Sequence, residues 1–328
     1  MRAQWEDGRN VARLKWACIH AARRNTAMCR LFAYAAPRET TVSEVIGAEN
    51  AEAFQQMTTV HNDGWGTAWL AAGPGESNPE VESLRISTPG QHDPLLTSAL
   101  REGASLARLV HLRLATDQHK RTKVNTHPFV ADGIAFAHNG SIIPVERFAD
   151  LLHPDAYDEI EGTTDSELYF ALLRQTVREV DGTVGDGVVR TLQILRGAFP
   201  EASLNAVVLT DRELIVVHAN STARVHDATF RSYGIDPAEL PIDHNENYYK
   251  LAMLQMNDGT TVFSSTGIDL AGWTRIPDDT ITRIDLDTLE LSQRKIFGLR
   301  ETATRRDHAA LNDSTIDELA LRRSRRAG

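Results

Sequence analysis

From about residue 29 to residue 295, short apolar runs with the period of a β-strand alternate with segments of helical period. His111–Thr116 alternates apolar and polar positions, and Gly66–Ala71 follows a glycine-rich turn, so both are predicted strands. We predict helices over Ala51–Met57 and Pro94–Leu109 from their helical periodicity. The first half of this region therefore combines strands with helices at short intervals.

The second half is predicted to contain hairpins around two longer helices. Asn139-Gly140 is a strong type I′ turn signal and predicts a hairpin over Gly133–Val145. Thr164 and Glu167 form a capping-box pattern that opens the first helix, and Val188–Phe199 forms the second. The apolar face of the first helix comprises Leu168, Tyr169, Leu172, Leu173 and Val177. Three further strand pairs are predicted, Leu204–Leu209 with Leu214–His218, Tyr249–Met256 with Thr261–Ser265, and Ile281–Asp285 with Leu289–Arg294.

This order of elements favours an α+β architecture, in which two antiparallel sheets are covered by helices on their outer faces. A length of 328 residues alone would suggest about two domains. The continuous pattern instead predicts one domain over residues 29–302. It is preceded by residues 1–28, which lack clear periodicity, and followed by a polar, basic tail over residues 303–328.

Charge is distributed unevenly along the chain, whose net charge is −10. Residues 1–28 carry +4 and residues 303–328 carry +2, which leaves −16 for the middle. The negative charge of the middle region would repel nucleic-acid phosphates, so we expect no nucleic-acid partner. No stretch reaches the ~18 consecutive apolar residues of a membrane-spanning helix, so we expect no membrane partner either.

Compartment is indicated by the N-terminal sequence and by the cysteines. Arg13, Lys15 and His20 interrupt the apolar stretch that a secretory signal requires. Cys18 and Cys29 are the only two cysteines, too few for a disulfide framework. These features predict a cytoplasmic protein.

Taken singly, the chemically interesting residues have structural explanations. Cys29 could be a buried apolar residue, Arg113 could face solvent, and Asp165 could simply favour a helix N-terminus. No histidine pair has the spacing of a metal site on one element, so we expect no metal. A phosphate-binding glycine loop is also absent from the sequence.

Six motifs in a fixed order change this picture. They are Met28-Cys-Arg-Leu-Phe, His61-Asn-Asp-Gly-Trp-Gly66, His111-Leu-Arg-Leu-Ala-Thr116, Asn125-Thr-His-Pro-Phe129, Ala137-His-Asn-Gly140 and Gly162-Thr-Thr-Asp-Ser-Glu167. The series resembles the class II glutamine amidotransferases, a branch of the N-terminal-nucleophile hydrolases, and is most similar to their small stand-alone members. The resemblance implies a four-layer αββα sandwich of two antiparallel sheets.

The resemblance also implies roles for individual residues. Cys29 corresponds to the nucleophile, which in this family is the first residue of the mature chain and uses its own α-amine as the base. Asn139 and Gly140 correspond to the oxyanion hole. The substrate α-carboxylate is expected at Arg113 and Thr116, and its α-ammonium at Asp165. Residues with expected structural roles near the site are Asp63, Gly64 and His127.

A mid-chain cysteine has an amide nitrogen, which cannot act as a base. We therefore expect residues 1–28 to be a misassigned N-terminal extension, with Met28 as the true start, or a propeptide. The expected reaction is cleavage of the γ-amide of glutamine or a γ-glutamyl compound through a Cys29 thioester, without cofactor or metal. Ammonia would pass to a separate protein or be released. Two alternatives remain, a dedicated γ-glutamyl hydrolase of the ergothioneine type and a non-catalytic glutamine-binding subunit.

Overall fold

A computed structural model describes residues 29–71, 79–115, 121–221, 223, 249–265 and 267–297. The strands are β1 (Arg30–Thr40), β2 (Trp65–Ala71), β3 (Glu80–Ile86), β4 (Ser105–Leu112), β5 (Phe129–Ala131), β6 (Ile134–Asn139), β7 (Asn205–Leu209), β8 (Glu213–His218), β9 (Ala252–Gln255), β10 (Thr261–Ser264), β11 (Thr274–Arg275), β12 (Thr280–Asp285) and β13 (Leu291–Lys295). The α-helices are α1 (Val42–Ile46), α2 (Ala48–Gln56), α3 (Pro94–Arg101), α4 (Pro154–Asp158), α5 (Asp165–Glu179) and α6 (Val184–Ala198). The elements up to Arg294 belong to one compact unit.

Within the described residues, the strands form two sheets. The first has the order β11-β9-β10-β1-β4-β2-β3, and the second has the order β13-β12-β8-β7-β6-β5. Strand pairs in both sheets run antiparallel, including β1 with β4 and β6 with β7. None of the described helices is long and apolar enough to cross a membrane.

The two sheets pack face to face through a core that is rich in small residues. Ala33 and Ala68 of the first sheet share a buried cluster with Ala135 and Ala137 of the second. Leucine and valine side chains complete this core, and each fully buried one contributes about 1.5–3 kcal/mol. The alternation of apolar positions in the predicted strands therefore corresponds to a layer between two sheets.

Helices cover the outer face of each sheet. Phe32 and Val110 of the first sheet cluster with residues of α1, α2 and α3. On the second sheet, the ring of Phe136 lies 4.8 Å from that of Tyr169 and 5.5 Å from that of Phe170, both on α5. The predicted four-layer αββα arrangement of two antiparallel sheets is confirmed.

One predicted helix is too long. The helix expected over Pro94–Leu109 ends at Arg101, and the strand expected over His111–Thr116 instead begins at Ser105 and ends at Leu112, as β4. Gly103 lies between them, and glycine is unfavourable inside a helix. The run from Ser105 to Leu112 is almost entirely buried, as expected of a central strand covered on both faces. Periodicity alone does not separate such a strand from a buried helix.

The predicted hairpin turn at Asn139-Gly140 is also wrong. The hairpin joins β5 to β6 through Asp132 and Gly133, which have φ values of 54° and 72°. Two consecutive positive φ angles are the signature of a type I′ turn, for which Asp-Gly is a preferred sequence. Asn139 is instead the last residue of β6, where it pairs with Asn205 of β7.

Candidate active site

Strand register brings the first group of candidate residues to one end of the first sheet. Leu112, near the end of β4, pairs with Arg30 at the start of β1 and with Trp65 at the start of β2. Cys29 therefore precedes β1 at the same edge where Arg113 follows β4. The family motifs that contain these residues are far apart in sequence and adjacent in the fold.

Cys29 is buried, with 8% of its surface exposed. Its backbone nitrogen donates to Asn139 Oδ1 at 3.0 Å, and its thiol lies 3.8 Å from the Leu114 carbonyl oxygen. Burial raises the pKa of the thiol to about 11, although the nearby Arg113 cation opposes this shift. A thiol with this pKa is protonated at neutral pH and requires a base to become a nucleophile.

Asn139 presents a donor next to this nitrogen. Its side chain is fully buried, and its Nδ2 has no hydrogen-bond partner among the described residues. A buried donor without a partner is costly in a folded protein, which points to a ligand atom that would accept from it. A Cβ at the following Gly140 would collide with the Ser203 carbonyl and lie 2.6 Å from His138 Nε2. The backbone after Asn139 therefore packs as only glycine can.

Arg113 is held against the loop that leads into β2. Its guanidinium donates to the Asp63 carbonyl oxygen at 3.2 Å, and only 4% of the residue is exposed. The Asp63 carboxylate accepts from the Ala115 backbone nitrogen at 2.6 Å and pairs with Arg121. Asp63 thus contacts both the Arg113 side chain and the chain that follows it, and orients a group suited to bind a carboxylate.

Asp165 is the first residue of α5, where Thr164 caps the helix. Its Oδ2 accepts from the Ile142 backbone nitrogen at 2.7 Å, and its Oδ1 accepts from the Ser166 nitrogen at 2.9 Å. The carboxylate is therefore connected to the loop that follows Asn139 and Gly140. Thr116, the other residue expected at the substrate α-carboxylate, lies outside the described residues.

The residues expected to shape the site have tightly packed surroundings. Gly64 has a φ of 125°, and a Cβ there would lie 2.6 Å from the Ile86 carbonyl oxygen. The His127 ring packs against that of His111 in a tilted arrangement, with centroids 4.3 Å apart. Burial holds the pKa of His127 well below its ordinary value, so this ring is neutral. Gly64 and His127 are therefore both closely packed against their neighbours, and their structural roles stay a prediction.

Sequence reasoning gave two residues in contact with this region, Arg30 and Glu167, no role in the site. Arg30 is fully buried and donates to the Cys29 carbonyl oxygen at 3.1 Å. The Glu167 carboxylate accepts from the backbone of Glu161 and Gly162, which precede Asp165. An arginine next to Cys29 in an apolar strand was an available signal. Glu167 matches a capping box, and this match gave no sign of its contacts with the preceding loop.

Metal binding receives no support from the described part of the chain, where no three His, Cys, Asp or Glu side chains are arranged to hold an ion. Two of the four histidines in the ordered motifs, His61 and His138, have other partners. His61 Nδ1 lies 2.9 Å from the Met57 carbonyl oxygen, and His138 contacts Ser166 and Ser203.

The sequence model of the family "Glutamine amidotransferases class-II" matches residues 28–278. No curated protein matches the chain. Among solved structures, a class-II domain protein from Silicibacter pomeroyi, described as a glutamine aminotransferase, has 21% identity and a TM-score of 0.52, with 82% of this chain and 100% of that one covered.

A second similar structure is the glutamine phosphoribosylpyrophosphate amidotransferase from B. subtilis. It has 16% identity and a TM-score of 0.52, with 82% of this chain and 49% of that chain covered. The present chain thus spans about half the length of that enzyme. At these identities the structural likeness shows the shared fold. Because the sequence model covers more than half of the chain, the protein belongs to the class-II glutamine amidotransferases.

Proposed function

We propose that the protein hydrolyses the γ-amide of glutamine, or of another γ-glutamyl compound, through a thioester on Cys29. One observation carries this proposal. The Cys29 nitrogen donates to Asn139 Oδ1 at 3.0 Å, while Asn139 Nδ2 is buried without a partner among the described residues. One amide side chain thus orients the nitrogen of the nucleophile and leaves a donor for an oxyanion beside it.

The first half-reaction requires Cys29 to be the first residue. Its α-amine, with an ordinary pKa near 8, accepts the thiol proton, and Sγ attacks the amide carbon of the substrate. Negative charge moves to the amide oxygen, which accepts hydrogen bonds from Asn139 Nδ2 and the Gly140 N–H. The C–N bond then breaks, the α-ammonium group returns a proton, and ammonia leaves a γ-glutamyl thioester.

The second half-reaction uses the same groups. The α-amine takes a proton from water as the water oxygen attacks the thioester carbon. Collapse of the second tetrahedral intermediate breaks the C–S bond and releases glutamate, and the sulfur recovers its proton. The chemistry needs no metal or organic cofactor, because the chain supplies the nucleophile, base and oxyanion donors.

Substrate binding is proposed to use two opposite charges. The Arg113 guanidinium would bind the α-carboxylate through a bidentate contact, with the Thr116 hydroxyl nearby, and the Asp165 carboxylate would bind the α-ammonium. The burial of Arg113 strengthens such a contact because the surrounding dielectric constant is low. A free α-amino acid group at the end of a γ-linked chain satisfies both sites.

We propose that residues 1–28 are absent from the active form and that residues 29–302 form the catalytic domain. Residues 303–328 would be a basic tail outside it. Ammonia would be released or used by a separate protein, and the enzyme would act in the cytoplasm. A γ-glutamyl compound with a larger leaving amine, as in ergothioneine-type hydrolases, is the alternative substrate.

Three matched chains test the proposal, one that begins at Cys29, one that begins at Met1, and a Cys29→Ala variant of the first. Intact mass verifies each N-terminus, and glutamate release from glutamine is measured by a coupled assay. Of the three chains, we expect only the one that begins at Cys29 to release glutamate. If that chain is inactive on glutamine and on a panel of γ-glutamyl amides, the proposal fails, and glutamine binding without turnover would favour a non-catalytic subunit.

A further inference from the structure

His138 lies immediately before the proposed oxyanion donor and has only 1% of its surface exposed. Its ring connects two separate parts of the fold. Nε2 lies 2.8 Å from the carbonyl oxygen of Ser203, which precedes β7, and Nδ1 lies 2.9 Å from the hydroxyl of Ser166 on α5. Neither contact serves secondary structure, since His138 already pairs through its backbone with β7.

The direction of both hydrogen bonds follows from their partners. A carbonyl oxygen only accepts, so Nε2 carries the proton and donates to Ser203. Burial holds the pKa of His138 below its ordinary value, and the ring is therefore neutral. Nδ1 then has a lone pair and accepts from the Ser166 hydroxyl at 2.9 Å, a shorter contact than the 3.4 Å from that hydroxyl to the Asp165 carboxylate. A single tautomer satisfies both partners.

Both partners of the ring also contact the proposed site. The Ser203 hydroxyl donates to the Asn139 carbonyl oxygen at 3.1 Å, and the Ser203 carbonyl blocks a Cβ at Gly140. Ser166 follows Asp165 and donates its backbone N–H to the Asp165 carboxylate at 2.9 Å. The ring therefore connects the strand end that carries the oxyanion donors to the helix start that carries the proposed ammonium-binding carboxylate.

We propose that His138 is a positioning residue, whose ring fixes the Asn139-Gly140 donors in place relative to Asp165. The proposal rests on the proposed function of these residues. Rate depends steeply on the placement of oxyanion donors, because they must lie at hydrogen-bond distance from an oxygen whose charge develops only in the transition state. Substrate affinity depends less on this placement. Loss of the ring contacts should therefore reduce kcat much more than it raises KM.

Packing alone does not account for a histidine at this position. The Tyr169 ring covers it with centroids 5.3 Å apart, a contact that an apolar side chain could also make. An apolar replacement would fill the space but leave the Ser203 carbonyl and the Ser166 hydroxyl without this partner. The hydrogen bond from His138 to the Ser203 carbonyl is the more important of the two, since Ser203 also contacts Asn139.

Three variants of the chain that begins at Cys29 separate the two contacts. His138→Leu removes both, His138→Gln can place an amide N–H near the position of Nε2, and His138→Asn can place an acceptor near that of Nδ1. We expect kcat for glutamine hydrolysis to fall about 10- to 100-fold in His138→Leu and His138→Asn, with KM changed less than about threefold. His138→Gln should recover most of kcat.

His218→Leu is the matched control. His218 is also fully buried in the second sheet, and its Nδ1 lies 3.2 Å from the Pro277 carbonyl oxygen. We expect this control to keep kcat within about twofold of the parent chain even if it loses stability. If His138→Leu does not fold, the comparison of His138→Gln with His138→Asn decides, and equal kcat values in the two would overturn the proposal.

A second measurement does not depend on turnover. The side-chain amide resonances of Asn139 should shift in His138→Asn and return toward the parent position in His138→Gln. If the parent chain hydrolyses no γ-glutamyl amide, the proposed function fails, and these resonances alone decide whether His138 positions Asn139. Unchanged Asn139 resonances in His138→Asn would overturn the inference. A kcat of His138→Asn within about twofold of that of the parent chain would also overturn it.

Discussion

Glu167 shows how one buried carboxylate organises the approach to the proposed substrate site. Its two oxygens accept from the Glu161 nitrogen at 2.9 Å and from the Gly162 nitrogen at 2.8 Å. Asn125 Oδ1 accepts from the next nitrogen, that of Thr163, at 2.8 Å. Three successive backbone groups before the cap of α5 are therefore fixed by side chains, and the position of Asp165 depends on them.

Replacement of Glu167 by glutamine tests this positioning role, and a control separates it from the loss of one negative charge. One oxygen becomes an N–H₂ donor that faces a backbone N–H, so a hydrogen bond to a charged acceptor is lost, worth about 1.5–3 kcal/mol. We expect the free energy of unfolding in urea to fall by about 1–2 kcal/mol and KM for glutamine to rise, with kcat within about twofold.

Glu161→Gln is the control for this substitution. It removes the same charge from the loop that Glu167 contacts, and the Glu161 side chain is exposed. Its stability and KM should match those of the parent chain. A Glu167→Gln variant with the stability and KM of the parent would contradict the role given to this carboxylate.

Individual site residues differed in how far the sequence could identify them. Cys29, Arg113, Asn139 and Asp165 are identifiable because they stand in ordered motifs of a known family. His138 also stands in one of these motifs, but the motif does not show its role, since its partners Ser166 and Ser203 lie 28 and 65 residues away and meet only when α5 packs on the second sheet. Contacts of this kind depend on tertiary structure and leave no local pattern.

At the scale of elements, local turn and capping signals gave correct predictions where tertiary contacts favoured the same structure. The pairs β7–β8 and β9–β10 form as expected, and α5 begins at Asp165 under the Thr164 cap. Only half of the predicted capping box exists there, because Glu167 turns to the preceding loop. Tertiary contacts therefore redirected a side chain without moving the helix start.

The wrong turn and the wrong boundary between helix and strand have physical reasons of the same kind. Asp132-Gly133 and Asn139-Gly140 are equally good turn sequences, and register with β7 decides between them. The segment Ser105–Leu112 is apolar enough for either a buried helix or a buried strand, and its place between β1 and β2 makes it a strand. Local sequence was ambiguous in both cases, and sheet pairing resolved the ambiguity.

At the scale of the whole molecule, neutral histidines in the interior link stability to pH. The rings of His127 and His111 are in contact with centroids 4.3 Å apart, and both residues are buried. Burial is the main cause that lowers both pKa values, to about 3 for His111, and the nearby Arg113 cation adds to it. In the unfolded chain both imidazoles have ordinary pKa values of about 6.5.

The sign of the effect follows from proton uptake. Below about pH 6.5 the unfolded chain binds protons that the folded chain excludes, so stability should fall as the pH decreases. Each such histidine contributes a loss of about 2 kcal/mol between about pH 7 and about pH 5. His127 has no hydrogen-bond partner among the described residues, so His127→Phe removes a titratable group without breaking a hydrogen bond. This substitution should reduce the loss of stability between the two pH values by about this amount.

Urea unfolding of the parent chain and the variant at both pH values measures this difference. His92→Phe is the control, because His92 is exposed, and it should leave the pH dependence unchanged. The same pH dependence in His127→Phe and in the parent chain would contradict a neutral buried His127.

Trapping of the acyl-enzyme tests the thioester on Cys29 most directly. The chain that begins at Cys29 is mixed with glutamine, quenched in acid during turnover, and digested for peptide mass analysis. The proposed mechanism predicts an adduct with the mass of one glutamyl group on the peptide that begins at Cys29, and no adduct in Cys29→Ala. Glutamate release at the parent rate by Cys29→Ala, or an adduct on another residue, would contradict it.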